Sequence, residues 1–114
     1  PALELWATVW SRPEPDLVIV GFGKRDVGYD YGLPVPLRIQ RLSTGEMRPV
    51  ADDHTVTELN DQHAFVQVPL NSDLGPGDVM VFGVSHPCTT FERWRAIPLI
   101  DDADRVIDVI DTQF

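Results

Sequence analysis

Leu3-Glu4-Leu5-Trp6-Ala7-Thr8-Val9-Trp10 is the stretch that decides the fold. Leu3, Leu5, Ala7 and Val9 alternate with Glu4, Trp6, Thr8 and Trp10. That is period two, the spacing of a strand with one face turned to a core. Trp6 and Trp10 share the other face, so bulky apolar side chains stand on both sides of the strand. Downstream, Ser11-Arg12-Pro13-Glu14-Pro15-Asp16 carries two prolines and reads as a turn. Leu17 to Phe22 is a continuous apolar run, consistent with a buried strand. Leu37 to Leu42 and Phe65 to Leu70 alternate again. Gly75-Pro76-Gly77-Asp78 is a turn signal ahead of Val79 to Val84, and the stretches Arg93 to Ile100 and Arg105 to Ile110 complete the set.

No window of a dozen residues carries a helical stripe free of proline and glycine. Ten prolines and eight glycines spread along the chain suit short strands joined by turns. The expected fold is all-β, a barrel-like or sandwich arrangement of about seven or more short strands. Residues 1–114 form a single domain with neither repeat nor linker. Apolar content of 43% and three tryptophans favour a packed globule.

The formal charge is −9. Residues 1–50 balance six basic against six acidic side chains, while residues 51–114 hold three basic and twelve acidic ones. Such a field repels nucleic acid phosphates and anionic lipid, so neither a nucleic acid nor a membrane partner is expected. No apolar run is long enough to span a bilayer. A single cysteine excludes an internal disulfide and fits a reducing, cytoplasmic setting. The opening Pro1-Ala2-Leu3-Glu4-Leu5 has no basic signal region and suits a piece of a longer protein. Five aspartates between Asp101 and Asp111 read as a solvated edge, because their spacing does not match an EF-hand loop.

Chemistry concentrates in Ser85-His86-Pro87-Cys88-Thr89-Thr90, where the only cysteine lies two positions from a histidine. In extended backbone, residues i and i+2 face the same side. An imidazole and a thiolate held so are suited to Zn²⁺ in an open site. The plainer alternative is a small buried thiol beside a surface histidine. Gly21 to Gly32 is glycine-rich, but it lacks the Walker spacing and is not followed by a helix pattern. Lys24, the sole lysine, reads there as a surface or structural residue. His54, in an acidic polar stretch, reads as surface, and Trp94 as a packing residue.

Four blocks in order carry a family resemblance: Leu5 to Pro13; Gly21 to Asp26 with Asp30 to Pro34; Leu59-Asn60-Asp61-Gln62-His63-Ala64; and Gly77-Asp78 with Ser85 to Arg95. The chain resembles the C-terminal domain of the D-serine dehydratase and D-threonine aldolase family, nearest its bacterial D-serine deaminase-like branch. The resemblance implies a fold like that of alanine-racemase-type pyridoxal phosphate enzymes. It also implies a separate N-terminal α/β barrel that carries pyridoxal phosphate and the Schiff-base lysine, and a homodimer. It maps the family's metal pair onto His86 and Cys88, with Zn²⁺ or another divalent ion. Aldolases of the family tend to have aspartate at the position of Cys88, which tilts the expectation to D-serine dehydration, with D-threonine-type aldol cleavage as the alternative. His63 is expected either as a proton-handling group near the metal or as a histidine satisfied at a strand start. A free-standing β binding module without catalysis is the reading from a different class.

Overall fold

The structure is a computed structural model, and it describes residues 3–30, 32–84 and 87–112, without the side chain of Cys88. Its nine strands among these residues are β1 (Glu4–Glu14), β2 (Leu17–Val20), β3 (Val35–Gln40), β4 (Met47–Pro49), β5 (Thr55–Leu59), β6 (Ala64–Gln67), β7 (Val79–Gly83), β8 (Ala96–Ile100) and β9 (Val106–Asp111). One five-residue helix, α1 (Pro87–Phe91), interrupts them. The all-β expectation holds.

Seven strands form one antiparallel sheet in the order β4-β3-β7-β1-β2-β6-β5. β5, at one edge, comes back against β3, second from the other edge, so the sheet curls into a half-barrel. The alternation of β1 explains the inside. Leu5, Ala7 and Val9 are buried, while Trp6 and Trp10 are exposed. Val18, Val20, Val66, Met80 and Phe82 fill the same interior with no exposure at all. Phe22 meets Phe82 edge-to-face with ring centres 4.7 Å apart, a geometry worth about 0.5–1.5 kcal/mol beyond its buried area.

β1 runs further than its prolines suggest, through Glu14, so only Pro15-Asp16 remains as the turn. Its pairing with β7 covers Glu4 to Thr8, and its pairing with β2 covers Val9 to Glu14. Val9 still exchanges hydrogen bonds with Asp78 O and Gly77 N, but beyond it the strand has an open side, and bulges separate Val9, Ser11 and Glu14 in the register with β2. An open side with bulges is where a strand accepts proline.

Asp78 fixes the turn before β7. Its carboxylate is buried and accepts from Leu42 N at 2.8 Å and from Gly75 N at 3.0 Å. Gly77 has φ 93°, and a Cβ there would stand 2.5 Å from the Leu42 side chain.

On the outer face, Val81 pairs with Trp6 on one side and with Arg38 on the other. The Arg38 guanidinium lies 5.6 Å from the Trp6 ring centre and is bound by both oxygens of Glu4, at 2.5 and 2.8 Å. This hydrogen-bonded guanidinium holds the Glu4 carboxyl below the usual carboxylate range. Arg38 also reaches Asp104 at 3.7 Å, in the turn between β8 and β9. These last two strands form a separate hairpin. Asp101 organises its turn, its Oδ1 accepting from Ala103 N at 2.9 Å and Arg105 N at 3.0 Å.

Candidate functional site

Three sequence blocks converge at one end of the half-barrel. The first is the turn Gly23-Lys24-Arg25-Asp26 after β2. Asp26 N donates to Gly23 O at 2.9 Å, and Gly23 N donates to Asp26 Oδ2 at 3.0 Å. The second is the connection from β5 to β6. There Asn60 N donates to His63 O at 2.8 Å, and the Asn60 amide nitrogen stands 2.9 Å from His63 Nε2.

These two turns lie backbone on backbone. Lys24 N donates to Asn60 O at 2.8 Å and Arg25 N to Asp61 O at 3.1 Å. Glycine at position 23 is what permits the approach. A Cβ there would stand 2.3 Å from Asn60 O and 2.5 Å from the Asp61 carbonyl, and backbone atoms cannot swing aside.

The third block is α1 and the residues after it. Gly28 N donates to Thr90 Oγ1 at 3.0 Å, with Thr90 buried. Arg93 Nε donates to Lys24 O at 3.0 Å, and Trp94 Nε1 to Asp26 O at 2.7 Å. Lys24 is thus the node of the site through its backbone. Its N–H ties it to Asn60 and its carbonyl to Arg93, while its ammonium stands 5.6 Å from the Tyr29 ring centre.

Asn60 donating to Nε2 leaves the neutral His63 ring its proton on Nδ1. The half-buried ring also lies 6.3 Å from Trp10 and meets Phe65 edge-on at 5.6 Å, centre to centre. His63, Asn60, Asp61, Gln62 and Lys24 line an open, shallow recess of about 550 Å³. His54 is at the other end of β5. Its side chain is only 11% exposed and lies 2.9 Å from Asp53 Oδ1, so it is more covered than a surface reading implies.

Cys88, the second member of the expected ligand pair, has a different backbone from the extended one that the spacing suggests. Pro87 and Cys88 are the first residues of α1, not an extended segment. Proline suits a first helical turn, where its missing N–H has no helical partner to lose. His86 lies outside the described residues, as does the side chain of Cys88. Among the described residues, no group of three or more His, Cys, Asp or Glu is placed to hold a metal ion. Trp94 departs from its packing role: it is 38% exposed and acts as a hydrogen-bond donor. The signal for Asn60, Arg93 and Trp94 was their presence in the ordered blocks, without any hint of the contacts they make.

The family model described as "Putative serine dehydratase domain" matches residues 2–100. No curated protein sequence matches the chain. Among solved structures, the D-threonine aldolase from Filomicrobium marinum is similar, with a TM-score of 0.76 and 22% identity. The match covers 96% of this chain and 27% of the aldolase, so the chain spans about a quarter of that enzyme's length.

Proposed function

From the premise that the chain belongs to the serine dehydratase domain family, we propose that it is the metal-holding β domain of a pyridoxal phosphate-dependent D-amino acid dehydratase. The substrate class is D-serine and related D-β-hydroxy amino acids, released as a keto acid and ammonia. The observation that carries the reading is the convergence just described. The loop at Lys24, the turn at His63 and the helix that begins at Pro87 are bonded into one unit. Those are three of the four blocks that carry the resemblance.

The chemistry of the donor set fits zinc. His86 and Cys88 would hold the ion, one through nitrogen and one through thiolate sulfur. Zinc there supplies Lewis acidity toward a β-hydroxyl, which is otherwise a poor leaving group. Pyridoxal phosphate belongs to the proposed N-terminal α/β barrel, where it supplies electron withdrawal from the α-carbon.

The chain's own residues have narrower tasks. Thr90, Arg93 and Trp94 hold the segment after Cys88 against the Lys24 loop. Asn60 holds the His63 ring in one orientation, with Nε2 accepting and the proton on Nδ1. In that state the His63 Nδ1–H can donate a hydrogen bond at the recess edge.

The test uses the complete polypeptide. D-Serine should yield pyruvate and ammonia. His86→Ala and Cys88→Ala should each lose bound zinc and most turnover while the circular dichroism spectrum stays unchanged. Full zinc content and activity in both variants would remove the pair from the reading. The solved neighbour favours one specific alternative. Release of glycine and an aldehyde from D-threonine, without ammonia from D-serine, would make the chain part of an aldolase.

A further inference from the structure

The β8–β9 hairpin carries the most unusual surface of the molecule. Leu99, Val106, Ile107, Val109 and Ile110 are 44–61% exposed. They do not share one face. The register sets Ile97 opposite Ile110 and Pro98 opposite Val109, with Ile100 opposite Val106. Strand alternation then puts Ile97, Leu99 and Ile110 on one side and Pro98 and Val109 on the other, and the bulge after Leu99 sets Val106 opposite Ile100, on the side of Pro98. A lone two-stranded hairpin is marginal in water, and one that is apolar on both faces has two surfaces to cover.

Its charge narrows what covers it. Between Ala96 and Asp111 there are five aspartates and one arginine. Two copies of this hairpin would bring like charges together, and the whole chain is at −9. Like charges across an interface work against pairing. The complementary surface is an apolar groove with a basic rim. The chain spans 27% of the solved enzyme it resembles, so in an enzyme of that shape most of the polypeptide lies outside these residues.

The hairpin is also tied to the candidate site. Thr112 N donates to Arg95 O at 2.9 Å and closes its base, directly after Trp94, whose indole is bonded to Asp26 O. Its tip is held near the sheet by Asp104 and Arg38.

We propose that the β8–β9 hairpin is a docking arm that seats in an apolar, basic-rimmed groove on another domain of the same polypeptide, the barrel of the proposed function. The inference rests on that reading for the existence of the barrel. The arm sets the position of α1 relative to that domain, because the two share Trp94 and Arg95 at their junction.

The test needs no substrate. In the complete polypeptide, Val109→Cys is labelled with a maleimide under native conditions and read by peptide mass spectrometry. Leu70→Cys, at a position 75% exposed, is the reference. A seated arm should label about tenfold more slowly or less, as an interface core that excludes water requires. A photo-cross-linker in place of Ile107 should give adducts within one chain, to basic peptides outside residues 1–114. Equal labelling at the two positions would overturn the proposal, and so would adducts formed only between chains. A polypeptide that protects the arm but leaves D-serine untouched would reject the catalytic reading and keep this one.

Discussion

Gly23 shows how far one hydrogen atom in place of a methyl group reaches. Its position is set by two carbonyls of the Asn60-Asp61 backbone within 2.5 Å of any Cβ. Gly23→Ala should force the two turns apart and lengthen the bonds from Lys24 N and Arg25 N. The expected cost is about 1–3 kcal/mol, the range for overpacking a tight contact. Urea denaturation measures it, and an unchanged midpoint would mean that the turns are not in register as described. Glu4 makes a second residue-scale case. Its carboxyl is held low by the Arg38 guanidinium, so the folded state binds its proton less readily than the unfolded chain. A depressed carboxyl contributes stability above the ordinary carboxylate range and loses it as the pH falls through the folded value. Glu4→Gln should therefore lower stability at about pH 7, and by less at an acidic pH where the folded carboxyl takes up its proton. Paired denaturation curves at the two pH values check the sign. The residues that carry this pair were legible only as charges in a strand, because their partnership depends on β7 lying between β1 and β3.

At the scale of elements, legibility follows period. β1 was readable because Leu5, Ala7 and Val9 keep strict alternation, and the strand after Gly77-Asp78 because its apolar run follows a firm turn. β5 was not. Its burial runs exposed, buried, exposed, exposed, buried, since a bulge between Val56 and Glu58 breaks period two. β4 has three residues, too few for any period. α1 has five and starts on a proline, so no helical stripe exists to be seen. Its place comes from side chains that reach back to the Lys24 loop, a tertiary fact. Trp94→Phe keeps the ring and removes the donor to Asp26 O. The expected loss of stability is about 0.5–1.5 kcal/mol, the net worth of one hydrogen bond. If α1 positions the proposed ligand pair, zinc affinity of the complete polypeptide should fall as well. Competition with a chromophoric chelator reads that directly. Loss of stability with unchanged zinc affinity would leave the clamp a purely structural device.

The whole molecule assigns its one lysine to structure. A Schiff-base lysine works as a neutral amine, usually made so in a closed apolar pocket or beside another cation. Lys24 is exposed, with its ammonium over the Tyr29 ring at the rim of an open recess. Its backbone is committed on both sides, to Asn60 and to Arg93. Shifting that backbone toward a cofactor would break both bonds. The same argument explains why a glycine-rich loop with a lysine is not a phosphate cradle here: its amides at Lys24 and Arg25 are already spent on Asn60 and Asp61 carbonyls. With pyridoxal phosphate and borohydride, the 114-residue chain should therefore carry no more label on Lys24 than a mixture containing free cofactor and an unrelated exposed lysine. In the complete polypeptide, the stoichiometric label should fall on a lysine outside these residues, and Lys24→Arg should leave that label intact. Stoichiometric labelling of Lys24 itself, abolished by Lys24→Arg, would move the cofactor into this domain and undo the proposal that the domain holds a metal while a separate barrel holds the cofactor.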